Sequence, residues 1–322
     1  MDAALHIGEP WMWVAFVGFV LAMLAVDLFL VGGNKAHKVG FREAAAWSVV
    51  WVSLAMLFNL GLWWYLKGVH GSEAADAKAM EFLTGYLIEK SLAVDNIFVF
   101  LMIFGFFAVP AEFQRRVLIY GVVGAIAMRA AMILAGAWLV QEFHWVLYLF
   151  GAFLVVTGIK MLMFAEAEPD LASNPLLNWI KRHMRLTPDY RGEKFWVREN
   201  GVRLFTPLFL VLVMIEISDV IFAVDSIPAI FAITTDPFIV FTSNIFAILG
   251  LRAMYFMLAG MADRFHLLKY GLAMVLVFVG TKMLIVDVYK IPVGLSLGIV
   301  GLIIASFMFA SLWVTRKPAT PG

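Results

Sequence analysis

The sequence predicts an all-α polytopic membrane protein, with about nine transmembrane helices that include two inverted three-helix repeats. Three observations carry this reading. Hydrophobic residues form 63% of the 322-residue chain and charged residues 15%, with a mean hydropathy of +0.91; soluble domains hold about 45–50% and 25%. Apolar runs of about 20 residues, enough to cross the hydrocarbon core, recur along the whole chain. Two blocks of three such runs share short motifs at nearly constant spacing. The net charge of +1 builds no field for polyanions, so the expected surroundings are lipid bilayer and not nucleic acid. Cysteine is absent, which excludes disulfides, thiolate metal sites and cysteine nucleophiles.

The spans fall at 11–31, 44–66, 80–107, 116–140, 145–165, 206–234, 237–260, 267–286 and 291–313. They group into two N-terminal helices (1–66), a first repeat (80–165), a connector (166–205), a second repeat (206–286) and a last helix (291–313). The first run has no basic flank and is long enough to cross, so it reads as a span and not as a cleavable signal. Lys and Arg gather in alternate loops: Lys35, Lys38 and Arg42; Arg115 and Arg116; Lys181 to Arg203; Arg264; Arg316 and Lys317. The positive-inside rule then places the N-terminus outside and the C-terminus in the cytoplasm. Within the connector, Asn174-Pro175 opens a short helix for the inner leaflet. Asn200-Gly201 between two apolar runs reads as a hairpin turn.

The repeat is legible residue by residue. Ala93-Val94-Asp95-Asn96-Ile97 matches Ala223-Val224-Asp225-Ser226-Ile227 at an offset of 130, and Gly158-Ile159-Lys160-Met161-Leu162 matches Gly280-Thr281-Lys282-Met283-Leu284 at 122. Arg129-Ala130 matches Arg252-Ala253, and Phe143-His144 matches Phe265-His266. A block of three spans reverses the side on which the chain emerges, so the second block enters the membrane from the opposite face. Inverted repeats of this kind build transporters whose substrate site lies near the midplane.

Asp27, Glu89, Asp95, Glu216, Asp219 and Asp225 all lie inside predicted spans. Six unpaired central acids would cost roughly 15–20 kcal/mol at about 2.5–3.5 each, more than the about 5–15 kcal/mol that holds a fold. They must be paired, protonated, solvated or bound to a cation. Glu89 to Asp95 and Asp219 to Asp225 are both steps of six. Six residues leave side chains about 120° apart on a regular helix, so a shared site requires unwinding, and Pro228 frees the Val224 carbonyl for such a break. Asn96, Ser226 and Asn244 add neutral donors. An oxygen-only set favours a hard divalent cation, Mn²⁺, Ca²⁺ or Mg²⁺. Lys90, Lys160, Lys282, Arg129 and Arg252 are the cations inside spans. They neutralise the acids, or, for the repeat-related Lys160 and Lys282, lose a proton as the cation enters.

The segments Glu89-Lys90-Ser91-Leu92-Ala93-Val94-Asp95-Asn96 and Glu216 through Phe231, with Thr242-Ser243-Asn244 through Tyr255, resemble the signature segments of the TerC family of integral membrane proteins, closest to its Alx-type manganese-exporter branch. The likeness covers roughly residues 10–315. It implies an inner-membrane protein without a bound cofactor that exports Mn²⁺ as its substrate, with Glu89, Asp95, Glu216, Asp219 and Asp225 as the motif acids. It implies two alternatives: an accessory that delivers Mn²⁺ to exported proteins at the secretion machinery, and a tellurium-resistance factor, for which a chain without thiols offers no evident chemistry. The expected activity is therefore transport and not enzymatic. Glu89, Asp95, Asp219 and Asp225 are the expected ligands or gates, Glu216, Asn244 and Asp27 support them, and Lys90, Lys160 and Lys282 are counter-ions or coupling groups to a proton or sodium gradient. No phosphate-binding loop of the G-x-x-x-x-G-K-[ST] type occurs, so ATP is not the expected driver.

Overall fold

The structure, a computed structural model, describes residues 7–26, 40–143, 145–163, 177, 179, 182, 184–199, 201–259, 267–289 and 291–315. Asp27, His144, the start of the connector helix at Asn174-Pro175, and His266 lie outside the described residues. So do the side chains of Asp95 and Asp225, whose backbones are helical.

Ten helices and one hairpin are described: α1 (Pro10–Val26), α2 (Phe41–His70), α3 (Ser72–Phe106), α4 (Ala111–Glu142), α5 (Val146–Met163), β1 (Trp196–Glu199), β2 (Val202–Phe205), α6 (Pro207–Phe231), α7 (Pro237–Leu249), α8 (Leu251–Leu258), α9 (Leu268–Leu284) and α10 (Val293–Thr315). Among the described residues, five helices are long and apolar enough to cross a membrane: α2, α4, α5, α6 and α10. A sixth span forms if α7 and α8, bent by 40° at Gly250, are counted as one. The sequence predicts nine. The difference has two sources: α9 has 17 residues, under the length of a straight span, and the middle of α3 carries Glu89, Lys90 and Asp95; α1 is described only as far as Val26.

Two expectations of local structure come out differently. No helix unwinds between the paired acids: α3 is continuous from Ser72 to Phe106, and α6 from Pro207 to Phe231 across Pro228. A single proline removes one donor, and the turns on either side hold the helix together. The break occurs instead at Gly250. There the Ala247 carbonyl accepts from Lys90 Nζ of α3 at 3.2 Å, so a buried amine supports the bend. The expected hairpin is present. β1 and β2 pair antiparallel with Glu199 opposite Val202, and Gly201 takes φ +78°, the conformation glycine tolerates best.

The core has two parts. One gathers Phe16, Phe58, Phe82, Phe238, Phe241 and Phe246 between α1, α2, α3 and α7. The other lies where α3, α4, α6 and α8 meet near the hairpin. Helices α5 and α9 pack along each other through small residues. A Cβ on Gly280 would stand 2.7 Å from the Gly151 carbonyl oxygen, and one on Gly158 2.8 Å from that of Ala273. The 122-residue offset converts the first of these contacts into the second.

Candidate functional site

Arg129 of α4 is the centre of the buried polar cluster, with 1% of its surface exposed. Its Nε and Nη2 donate to Asp219 Oδ2 and Oδ1 of α6 at 3.3 and 3.1 Å. Its Nη1 donates to Glu89 Oε1 of α3, to Ser226 Oγ at 3.2 Å and to Asn244 Oδ1 of α7 at 3.4 Å. Asn96 Nδ2 reaches Asp219 Oδ1 at 3.5 Å. Four helices thus converge on one guanidinium. Its planar fork suits a bidentate grip on one carboxylate while a second approaches.

The helical period explains the placement. Asn96 follows Glu89, and Ser226 follows Asp219, by seven residues, a rotation of about 700° that returns the side chain to the same face. An uninterrupted helix therefore delivers an acid and a neutral oxygen to the centre from each half. Two carboxylates from different helices thus share one guanidinium. Glu89 Oε2, Asn96 Oδ1 and Asn244 Nδ2 are buried without a hydrogen-bond partner among the described residues. Buried polar atoms in that condition call for a specific cause, an ion among them. Among the described residues no three Asp, Glu, His or Cys side chains are grouped as a metal cage.

Of the other expected site residues, Glu216, Lys90, Lys160 and Lys282 are described and lie apart from this centre. Glu216 lies one turn before Asp219, half-buried against α4, where Gly124 makes room for its carboxylate. Lys90 is committed to the Ala247 carbonyl at the α7 bend. Lys160 is exposed in the last turn of α5, a position that favours a cation beside the helix C-terminus; it is not the buried cation the sequence predicts. Its repeat mate Lys282 is buried and lines a separate cavity. Arg252, the repeat mate of Arg129, is buried in α8. It borders small cavities beside Asp219 on one side and Glu43 and Arg115 on the other.

That separate cavity, of about 780 Å³, is absent from the sequence reading. It opens at the ends of α2, α3, α6 and α9, with Lys78, Glu81, Thr234 and Lys282 in its walls. Lys78 Nζ lies 2.9 Å from Glu81 and 3.7 Å from Asp236, and Thr234 donates to Glu81 at 2.6 Å. Asp236 caps α7, accepting from the Phe238 and Ile239 amides, and it also accepts from the Ile7 amide at 2.9 Å. The signal was present: Asp236-Pro237 is a helix-start pair, and Glu81 sits at the head of its span. Eight residues of α3, about 12 Å of helix, separate Glu81 from Glu89. Gly85 packs against Ser243 between them.

Outside the membrane the connector is tied to the helices by Tyr190. Its hydroxyl donates to the Phe107 carbonyl at 2.7 Å, and burial raises the phenol pKa.

Comparison with known proteins places this architecture. The chain is 57% identical over 314 residues to the proposed membrane-bound redox modulator Alx of Photorhabdus laumondii, covering 98% of both chains. It is 58% identical over 312 residues to the Escherichia coli K12 protein of the same name, covering 97% of both. An uncharacterized membrane protein of Myxococcus xanthus, STKORF319, is 49% identical over 320 residues, covering 99% of this chain and 98% of that one. No solved structure matches. Residues 74–319 match the model of the integral membrane protein TerC family, and the chain belongs to that family.

Proposed function

We propose that the protein is a secondary transporter that exports Mn²⁺ from the cytoplasm through the Glu89–Arg129–Asp219 centre. One observation carries the proposal: repeat-equivalent acids on two different helices meet at a buried point on one guanidinium, with oxygen atoms there unpartnered among the described residues. Mn²⁺ is the substrate. Its preference for carboxylate and carbonyl oxygen fits Glu89, Asp219, Asn96 and Ser226. Arg129 holds the acids together while the site is empty, and the entering cation competes with it for them. Asp95 and Asp225, which directly precede Asn96 and Ser226 in the chain, complete the acid set in this reading. The reading includes nine spans and two inverted repeats, supported by the reciprocal contacts of Gly151 with Gly280 and of Gly158 with Ala273. Such reciprocity is the mark of a two-fold relation, and rocking of one block against the other gives alternating access. With no cysteine, thiol–disulfide exchange is not open to this chain. An exporter would affect redox balance through the metal content of the cytoplasm, which accommodates the name its relatives carry.

The test is metal flux. Purified protein in liposomes, with Mn²⁺ and an indicator on opposite sides, should move Mn²⁺ faster when a pH or sodium gradient is imposed. Asp219→Asn and Glu89→Gln should abolish the flux while leaving the protein folded. Wild-type flux equal to that of empty liposomes under every gradient would refute the proposal.

A further inference from the structure

The end of the connector forms a groove that the transport reading does not use. Its volume is about 800 Å³, and it runs between the hairpin, α4 and α6. Arg116 and Tyr120 come from α4, Lys194 and Arg198 from the hairpin segment, and Phe209 and Leu212 from α6. Three bases therefore face a wall that is apolar at one end. The carboxylate in the lining, Glu199, is engaged by Arg191 at 3.2 Å. Arg116 is positioned before any ligand arrives. Its guanidinium lies 5.6 Å from the Phe195 ring centroid and 6.0 Å from that of Tyr120, and Nη1 reaches Glu193 at 3.4 Å. Its Nε is buried with no partner among the described residues. Trp196, half exposed, lies at the groove with Arg203 4.6 Å over its ring.

Depth and polarity decide what fits. Phe209 and Leu212 belong to the first turns of α6, and Arg116 and Tyr120 to the second and third turns of α4. The groove thus lies where two apolar helices leave the membrane, the level at which Trp, Tyr and basic residues anchor to headgroups. A basic loop alone would follow from the positive-inside bias. A basic cleft with an unpartnered buried donor, continuous with an apolar helix wall, asks for a ligand with an anionic head and a hydrocarbon tail. We infer that this groove binds an acidic phospholipid of the leaflet facing the connector. The phosphate sits among Arg116, Lys194 and Arg198, and an acyl chain runs past Phe209 and Leu212. Basic pockets between spanning helices recognise anionic headgroups by the same chemistry. The walls come from both three-helix blocks, so the lipid occupies the seam between them. This inference is independent of the identity of any transported ion.

Delipidated full-length protein in mild detergent tests it. The protein is titrated with phosphatidylglycerol, phosphatidylcholine and inorganic phosphate, read by native mass spectrometry and by thermal unfolding. Phosphatidylglycerol should bind saturably and raise the melting temperature, whereas phosphatidylcholine and inorganic phosphate should do neither. K194Q/R198Q, both on the exposed hairpin segment, should weaken phosphatidylglycerol at least tenfold. R42Q, an exposed base on α2, should not. Equal binding of the two lipids overturns the inference, as does stabilisation by inorganic phosphate to the same extent. Wild-type affinity in a folded K194Q/R198Q protein overturns it too. The lipid preference of the unaltered chain decides the matter even if a variant fails to fold.

Discussion

Glu89 and Asp219 stand 130 residues apart in the chain and share a single guanidinium, that of Arg129. Asn96 from the Glu89 helix bonds Asp219, and Ser226, which follows Asp219 by the same seven residues, accepts from Arg129. Asn96 and Ser226 are themselves 130 residues apart. One guanidinium, that of Arg129, ties the two halves together. Displacing that cation changes the relation between the two halves.

Removing Arg129 should be severe. Two buried carboxylates would lose their counter-charge, and breaking a buried pair from one side costs about 3–5 kcal/mol. Arg129→Met should therefore melt well below the unaltered protein in detergent. Arg129→Met with Glu89→Gln and Asp219→Asn should recover most of the loss, because no uncompensated charge remains. Arg129→Lys should recover little, since one ammonium does not reproduce the bidentate grip. Thermal unfolding of the purified variants measures all three. A triple variant no more stable than Arg129→Met would mean that the charges are not what binds these helices together.

The sequence made the buried acids Glu89 and Asp219 and their 130-residue offset legible because charge in an apolar run is conspicuous and a repeat can be counted. The same logic failed for the lysines. Lys160 and Lys282 match in register, yet one is exposed at a helix end and the other buried in a cavity, because register fixes a position along a helix and not the neighbour it meets. The expected unwinding rested on Glu89 and Asp95 sharing a face. The structure instead brings in Asn96, seven residues on, where a regular helix suffices. The bend at Gly250 could not be read from the chain alone: its partner, Lys90, is 160 residues away.

The contact between α5 and α9 depends on glycines that leave room for backbone. A Cβ on Gly280 would stand 2.7 Å from Gly151 O and 2.8 Å from Val155 N, and these backbone atoms have no easy retreat. Gly280→Ala should destabilise by about 1–3 kcal/mol, the range for overpacking. Gly61→Ala in α2, where nothing lies within 4 Å, should be neutral or stabilise by up to about 1 kcal/mol through helix propensity alone. Equal melting temperatures for the two variants would contradict the close approach.

Lys90 and Gly250 should behave as one unit. A Cβ on Gly250 would stand 2.5 Å from Lys90 Nζ, pushing the amine off the Ala247 carbonyl. Lys90→Met removes the same bond and leaves a buried carbonyl unsatisfied, at about 1–3 kcal/mol. Each single variant should lose a similar amount, and Lys90→Met/Gly250→Ala should lose scarcely more than either. A double-mutant cycle of unfolding free energies reads this directly. Strict additivity would show that the amine and the bend are unconnected.

A chain without cysteine allows the two faces to be labelled one residue at a time. Ala77 is exposed in the 780 Å³ cavity at one end of the helices, and Arg198 is exposed on the hairpin at the other. If the positive-inside assignment holds, Ala77→Cys in intact spheroplasts should react with a membrane-impermeant maleimide. Arg198→Cys should react only after the membrane is opened. Thr235→Cys, half-buried in the same cavity, should label from the Ala77 side but more slowly. Its rate should rise when Glu81→Gln weakens the acceptor that holds Thr234, because that bond fixes the loop carrying Thr235. Labelling of Ala77→Cys and Arg198→Cys from the same side would place both ends of α3 on one face, and no arrangement in which α3 spans the bilayer would survive that result.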